Sequence, residues 1–84
     1  MQISEDKIKQ YTQNIPVLVG GQIKKFRKMR KLTQTELAHR VWKDRQYLYK
    51  IEKGKVTPNV FTIAMIALAL DISLSELLED VVLE

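Results

Sequence analysis

Residues 33–54, TQTELAHRVWKDRQYLYKIEKG, carry two helix start signals so close together that only a short helix fits between them. Thr33 and Glu36 form the T-x-x-E pattern of a capping box, in which two side chains satisfy free backbone N–H groups. Asp44 is a favourable N-cap for a second helix, and Gly54 can supply the left-handed residue that ends it. The segment therefore predicts two helices of about eight to ten residues that pack against each other across a tight turn.

The chain before this segment also has helical spacing. Ser4 can cap a short helix, and this helix is expected to end before Pro16, because proline disfavours the helical conformation of the preceding residue. A longer helix is predicted over residues 17–31, with Gly20-Gly21 weakening its start. These signals divide the chain into an N-terminal extension, residues 1–16, and a domain, residues 17–84.

The C-terminal part predicts two more helices. Thr57-Pro58 fits an N-cap followed by proline in the first turn, and residues 60–70 are so apolar that the helix they form is expected to be buried on most sides. Asp71 stands where a left-handed residue would end this helix. Ser73 then opens a last helix with a second capping box. Since no strand pattern appears, the predicted fold is all-α, with five or six short helices.

Length, composition and charge narrow the function. The chain of 84 residues has room for one core, and the lack of cysteine excludes disulfides and thiolate-bound zinc and favours a reducing compartment. With no signal peptide or long apolar run, a cytoplasmic location and no membrane contact are expected. Residues 22–55 hold 12 Lys and Arg against 3 acids, whereas the remainder holds 2 against 7. This basic middle indicates a polyanion as partner.

The second helix of the 33–54 segment has the side chains that read DNA. On a helical wheel, Leu48 and Ile51 point inward, while Gln46 and Lys50 point outward and Arg45 lies at the exposed start. Arginine can hydrogen-bond guanine through two donors, glutamine can do the same with adenine, and lysine can bind guanine or phosphate. Two such helices form a helix-turn-helix, whose second helix enters the major groove of double-stranded DNA.

The stretches KLTQTELA, YLYKIEKGKVTPN and IAMIALALDISLSELL, in this order over about residues 19–79, resemble the phage-repressor/Cro-type helix-turn-helix regulators, also called the xenobiotic-response-element family. The resemblance implies a compact five-helix, lambda-repressor-like DNA-binding domain. It also implies a structural ion pair between Arg27 and Glu52 rather than a DNA contact of Arg27. The residues that it assigns to base reading are Arg45, Gln46, Tyr49 and Lys50. The residues assigned to phosphate contacts are Gln34, Lys53, Lys55 and Asn59.

The sequence departs from this family at Trp42-Lys43, where glycine and an apolar residue are usual. Two interpretations are open. Either Trp42 takes a positive φ at a cost of about 1 kcal/mol and its ring covers the gap left by Lys43, or the turn has a different shape. In the first case Lys43 is free to face phosphate, so it joins the predicted phosphate contacts.

Such regulators commonly bind a palindromic operator as homodimers, and the apolar C-terminal helix is the expected dimer interface. Its residues are Leu74, Leu77, Leu78, Val81 and Val82. The alternative function is a protein-interaction module or antitoxin-type protein that keeps the fold and binds a protein partner. No cofactor, metal or small-molecule ligand is expected, and no combination of residues suggests an enzyme.

Overall fold

The computed structural model describes all 84 residues and contains five α-helices and no β-strand. The helices are α1 (Glu5–Met29), α2 (Gln34–Arg40), α3 (Arg45–Glu52), α4 (Val60–Ala69) and α5 (Leu74–Leu78). Helix α3 packs against α2 and α1, and α5 packs against α1 and α4. The all-α prediction is confirmed, and of the predicted five or six helices the structure has five. No helix combines the length and the apolar composition that crossing a membrane requires.

The core lies where these helices meet and consists of side chains from all five. Its buried hydrophobic residues are Val19, Ile23, Leu37, Ala38, Leu48, Ile51, Ile63, Ile66, Ala67, Leu70 and Leu77. The apolar residues predicted to face inward on α2 and α3 are among them. These contacts fix the orientation of α3 relative to the rest of the domain.

The helix break predicted at Pro16 is wrong, because α1 runs without interruption through it. A proline inside a helix removes one backbone donor and crowds the preceding turn, but Pro16 is itself buried against the domain, and this packing offsets the lost hydrogen bond. Residues 1–16 and 17–84 are therefore not separated by a helix boundary.

Four helix starts lie where the sequence places them. Ser4, Thr33, Asp44 and Ser73 each accept a hydrogen bond from the backbone N–H three residues later. In the capping box of α2, the backbone N–H of Thr33 donates to the Glu36 carboxylate, and this bond, with the Thr33 side chain, holds the pKa of Glu36 below its usual range. Each cap satisfies one otherwise unpaired donor.

The start predicted for α4 is wrong, because Asn59 rather than Thr57 caps this helix. The Asn59 side-chain oxygen accepts from the Thr62 N–H at 2.8 Å. Asparagine is at least as good an N-cap as threonine, and it stands directly before the apolar run. Thr57-Pro58 consequently belongs to the loop between α3 and α4.

Four helices end on a residue in the left-handed conformation, and only one of these residues is glycine. The residues are Lys31 (φ 59°), Trp42 (φ 62°), Gly54 (φ 72°) and Asp71 (φ 58°). The predictions for Gly54 and Asp71 are confirmed, and so is the positive φ of Trp42. The ring of Trp42, however, is 94% exposed and does not cover the core. Val41, one residue earlier, packs against the core instead.

Helix α4 buries one side only, which contradicts the prediction that it is buried on most sides. Ile63, Ile66 and Ala67 face the core, whereas Phe61 and Leu68 are 70% and 71% exposed. The reason is that α2, α5 and the core cover a single face of this helix. Its outer side and the neighbouring turn enclose a shallow groove of about 350 Å³. The groove residues, here called the α4 apolar face, are Val41, Trp42, Phe61, Met65, Leu68 and Ala69, with Arg40 at the edge.

Candidate nucleic-acid interface

The turn between α2 and α3 is closed by two backbone hydrogen bonds. The Lys43 N–H donates to the Ala38 carbonyl (2.9 Å), and the Trp42 N–H donates to the His39 carbonyl (3.1 Å). This pair of bonds, with a left-handed residue at Trp42, is a Schellman motif. Ala38 is fully buried below the crossing, and its small side chain permits α3 to lie close to α2. The sequence thus forms two short helices in helix-turn-helix geometry.

Helix α3 separates its apolar and polar sides as its sequence predicts. Leu48 and Ile51 are fully buried, whereas Arg45, Gln46 and Lys50 are exposed. Because the Asp44 carboxylate accepts the Tyr47 N–H at 2.9 Å, the first turn of α3 is held while its outward side chains stay free. A guanidinium, an amide and an ammonium group therefore point outward from one short helix, as reading base edges requires.

Tyr49 lies in the middle of a cluster of cations. The charged ends of Arg45, Lys53 and Lys55 stand 5.8, 5.9 and 5.6 Å from the centre of its ring. An aromatic face attracts cations at such distances, so one half-buried ring keeps three positive groups together at the outer side of α3. The structure thus joins residues predicted to read bases with residues predicted to contact phosphate.

The C-terminal end of α3 is held by a buried ion pair. Arg27 Nε donates to Glu52 Oε2 (2.7 Å) and Arg27 Nη2 donates to Glu52 Oε1 (3.0 Å). The remaining guanidinium nitrogen, Nη1, donates to the Leu32 carbonyl (2.8 Å). Both charged residues are only 8% exposed, so Arg27 is directed at the core side of α1 and α3 rather than at solvent. A bidentate pair of this kind fixes distance and angle together.

Gln34 joins the same network from α2. Its side-chain Nε2 donates to Glu52 Oε1 at 3.1 Å. The amide nitrogen carries two hydrogens, so one remains free to donate to another acceptor. Glu52 thereby connects α1, α2 and α3, and Gln34 is held in a fixed position.

Gly20 allows α1 to approach the end of α3, a role that the sequence pattern barely indicates. A Cβ added at Gly20 would stand 2.1 Å from the Ile51 carbonyl oxygen, whereas one at Gly21 would meet nothing within 4 Å. Gly54 has a similar neighbour, since its added Cβ would lie 2.8 Å from a methyl group of Val17. In the sequence, Gly20-Gly21 appeared only as a weak helix start. The signal that could have revealed Gly20 is its position one turn before the inward-facing Ile23.

The residues predicted to contact phosphate are accessible, but the side chains of Gln34 and Asn59 already use one polar atom each within the chain. Lys43, Lys53 and Lys55 are exposed, and the Lys43 ammonium stands 5.1 Å from the centre of the Tyr47 ring. Asn59 is exposed as well, but its side-chain oxygen is used in capping α4. Its amide N–H₂ is the part that remains available, whereas Gln34 keeps one N–H of its amide and its side-chain oxygen.

The predicted dimer interface needs correction at Leu77, which is fully buried in the core and cannot contact a second chain. Leu77 is buried because α5 (Leu74–Leu78) packs this side against α1 and α4. Leu74, Leu78 and Val81 are half-buried against the core, and only Val82 is largely exposed. The tail beyond them lies beside α1, where the Lys7 ammonium donates to the Glu84 backbone oxygen (2.6 Å).

A family model described as helix-turn-helix matches residues 23–77. The chain is 40% identical over 62 residues to the immunity repressor protein of Bacillus phage phi105; the match covers 74% of this chain and 43% of the repressor. It is 38% identical over 60 residues to an uncharacterized HTH-type transcriptional regulator, y4dJ, of Sinorhizobium fredii, covering 71% of this chain and 78% of y4dJ. The chain thus spans less than half of the phage repressor.

Two solved structures have the same fold. The clp gene regulator ClgR from C. glutamicum superposes with a TM-score of 0.74 at 25% identity, covering 76% of this chain and 83% of ClgR. The restriction-modification controller protein C.AhdI from Aeromonas hydrophila superposes with a TM-score of 0.75 at 30% identity, covering 80% of this chain and 96% of C.AhdI. The five-helix arrangement is therefore shared with regulators over most of its length.

Proposed function

The chain belongs to the helix-turn-helix family of Cro/C1-type transcriptional regulators, and from this premise we propose that it represses transcription by binding a palindromic operator as a homodimer. Helix α3 enters the major groove and reads bases, and the occupied operator excludes other proteins. No catalysis, metal or small-molecule ligand takes part. The site of action is the cytoplasm, where a bacterial or phage operator lies.

The observation that carries this proposal is the difference between the two sides of α3. Its inner residues are fully buried, while Arg45, Gln46 and Lys50 are exposed together on the outer side. We assign guanine recognition to Arg45 and adenine recognition to Gln46, because each can form two hydrogen bonds with that base. Tyr49 and Lys50 act one turn later, on the neighbouring bases.

Phosphate contacts place this helix in the groove. Lys43 lies before α3, Lys53 and Lys55 follow it, and Gln34 stands at the start of α2. Asn59 can donate its amide N–H₂ from the start of α4. Contacts of this type fix the register of a protein on DNA and supply affinity that does not depend on sequence.

A homodimer is needed for specificity. One recognition helix reads only a few base pairs, whereas two helices about 34 Å apart read both halves of a palindrome. Two surfaces offer room for a second copy: the C-terminal segment with Leu74, Leu78, Val81 and Val82, and the α4 apolar face.

Selection of bound sequences from random duplex DNA tests the proposal. Enrichment of a palindrome is expected, and the log of the affinity should fall against the log of the salt concentration with a slope of roughly −5 to −9, for about three to five phosphate contacts per subunit. A flat salt dependence together with the absence of any enriched sequence would contradict the proposal.

A second candidate function, a protein-interaction module of the antitoxin type, is favoured by the exposed α4 apolar face, since large exposed apolar areas often mark protein contacts. In that case a partner protein binds this face and DNA recognition is lost or secondary. The same DNA selection separates the two functions, because such a module enriches no sequence.

A further inference from the structure

The most prominent apolar surface of the molecule lies outside the residues proposed to touch DNA. Trp42, Phe61 and Leu68 are each at least 70% exposed and lie around one groove. On α4, Phe61, Met65 and Leu68 recur at helical spacing on the side opposite Ile63 and Ile66. Such a face is costly to leave in water, and within the single chain nothing covers it.

The backbone of Trp42 makes this surface more unusual. A non-glycine residue in the left-handed conformation carries strain, and for a bulky residue such a conformation is rare. The indole is 94% exposed, so its contacts within the chain are too few to offset that strain. Strained residues that gain nothing locally are found at functional sites, and tryptophan is the side chain most enriched among strong interface contacts.

The α4 apolar face combines a protruding ring with an adjacent groove. The groove, about 350 Å³, is lined almost entirely by apolar side chains. Its one charged residue, Arg40, directs a guanidinium N–H at the Ala69 carbonyl (3.0 Å). The lining thus carries no acid that would attract a basic partner.

We propose that a second copy of this chain covers the α4 apolar face. A two-fold axis through the face places the Trp42 ring of each copy in the groove of the other, beside Phe61 and Leu68. In a two-fold contact the same patch is used by both subunits, so a knob next to a groove is self-complementary. This inference rests on the homodimer of the proposed function and gives that homodimer its interface.

The exposed apolar area favours this face over the C-terminal segment as the site of pairing. A covered aromatic side chain buries about 150–250 Å², so Trp42 and Phe61 together with Leu68 offer several hundred Å² per copy. A standard interface buries about 800 Å² per partner, so these side chains supply about half of it. On the C-terminal segment, by contrast, only Val82 is largely exposed.

Trp42 is the only tryptophan of the chain, and its fluorescence therefore reports on this face directly. For the wild-type protein at tens of micromolar without DNA, sedimentation should give a dimer, and the emission should shift to longer wavelength on dilution as the indole returns to water. Phe61→Gln and Leu68→Gln change exposed side chains, so the fold should persist. Each should raise the dimer dissociation constant about 30-fold or more and keep the emission at long wavelength at all concentrations.

Ile8→Gln is the matched control, because it removes an exposed apolar side chain outside both candidate surfaces, and Val82→Gln tests the rival C-terminal surface. They should leave the dimer and the Trp42 emission unchanged. A wild-type monomer at tens of micromolar overturns the inference, and so does a dimer that Val82→Gln dissociates and Phe61→Gln does not. Capture of a different protein by a wild-type monomer would also overturn it.

Binding to DNA distinguishes this inference from the proposed function. Phe61→Gln should bind an isolated half-site as wild type does and lose affinity for the full palindrome. If the wild-type protein dimerises through the α4 apolar face but binds no DNA sequence preferentially, the proposed function fails and the interface stands. If DNA is bound specifically but Phe61→Gln leaves pairing intact, only the interface fails.

Discussion

The two ends of α3 are held in opposite ways. At the C-terminal end, Glu52 is tied to α1 and α2 by three hydrogen bonds, and the Ile51 carbonyl lies against Gly20. At the N-terminal end, the helix is secured by the Asp44 cap and by a turn with a strained Trp42, and Arg45 is exposed.

In the proposed function, one helix of eight residues separates the groups that stabilise the fold from the groups that recognise DNA. The groups proposed to read bases must stay exposed until DNA arrives, so they contribute little to folding. The C-terminal end of α3 fixes the axis of the helix. This matters because a side chain can recognise a base only when its backbone is held in position. We therefore expect substitutions at the C-terminal end to change the free energy of unfolding and substitutions at the N-terminal end to change DNA binding.

The largest effect is expected for Arg27→Met. It leaves the Glu52 carboxylate buried without its partner, which should lower the free energy of unfolding by about 3–5 kcal/mol. Urea denaturation measures this loss, and Lys28→Met, on the exposed side of the same helix turn, is the control with an expected change within about 0.5 kcal/mol.

The double variant Arg27→Met, Glu52→Met tests the cause. Because both charges are gone, it should recover much of the lost stability. Equal destabilisation of the single and double variants would show that packing of the arginine stem, rather than the buried charge, is what Arg27 provides.

The next effect concerns the contact between α1 and the end of α3. Gly20→Ala forces a Cβ against the Ile51 carbonyl, and overpacking of this kind costs about 1–3 kcal/mol. Gly21→Ala is a matched control because its Cβ meets open space, and it should stabilise the helix by about 0.5–1 kcal/mol. Thermal unfolding of both variants measures these changes in stability. Destabilisation by Gly21→Ala would mean that helix propensity does not govern this part of α1.

Sequence patterns predicted much of the fold because its local signals are strong. The caps at Thr33, Asp44 and Ser73 and the inward positions of α3 follow from side chains and spacings within a few residues. What failed depends on distant contacts. The passage of α1 through Pro16 and the exposure of Phe61 are decided by which neighbouring elements cover each surface, and no local pattern contains that information.

The candidate site shows the same division. The outward direction of Arg45 and Gln46 follows from the period of α3, whereas the cations gathered around Tyr49 and the bond from Gln34 to Glu52 need three-dimensional positions. Trp42 combines both cases. Its positive φ is one of two turn shapes that the sequence leaves open, and its exposed ring depends on Val41 having filled the core.

At the exposed end, Arg45→Ala should leave the free energy of unfolding unchanged and weaken operator binding by about 1–3 kcal/mol, because one bidentate contact to a base is lost. The preference at one base pair of each half-site should relax. Lys55→Ala is the comparison, since loss of a phosphate contact should weaken all sequences alike and reduce the salt slope. Titration of the operator and of single base-pair variants measures both; identical behaviour of the two variants would contradict the division into base and phosphate contacts.

The smallest effect is expected at the turn that leads into the exposed end. Trp42→Gly removes the Cβ that makes the left-handed conformation costly, so the monomer should become more stable by about 1 kcal/mol. Trp42→Ala keeps a Cβ and therefore keeps the strain, and since the indole it removes is exposed, its stability should stay within about 0.5 kcal/mol of the parent. Both are best compared by urea denaturation in the Phe61→Gln background, where pairing adds nothing to the apparent stability.

If glycine destabilises the turn, or alanine stabilises it as much as glycine does, the strain at Trp42 is not relieved by removing the Cβ. The weakly held end of α3 would then depend on the indole itself, and the contrast between the two ends would be smaller than the structure indicates.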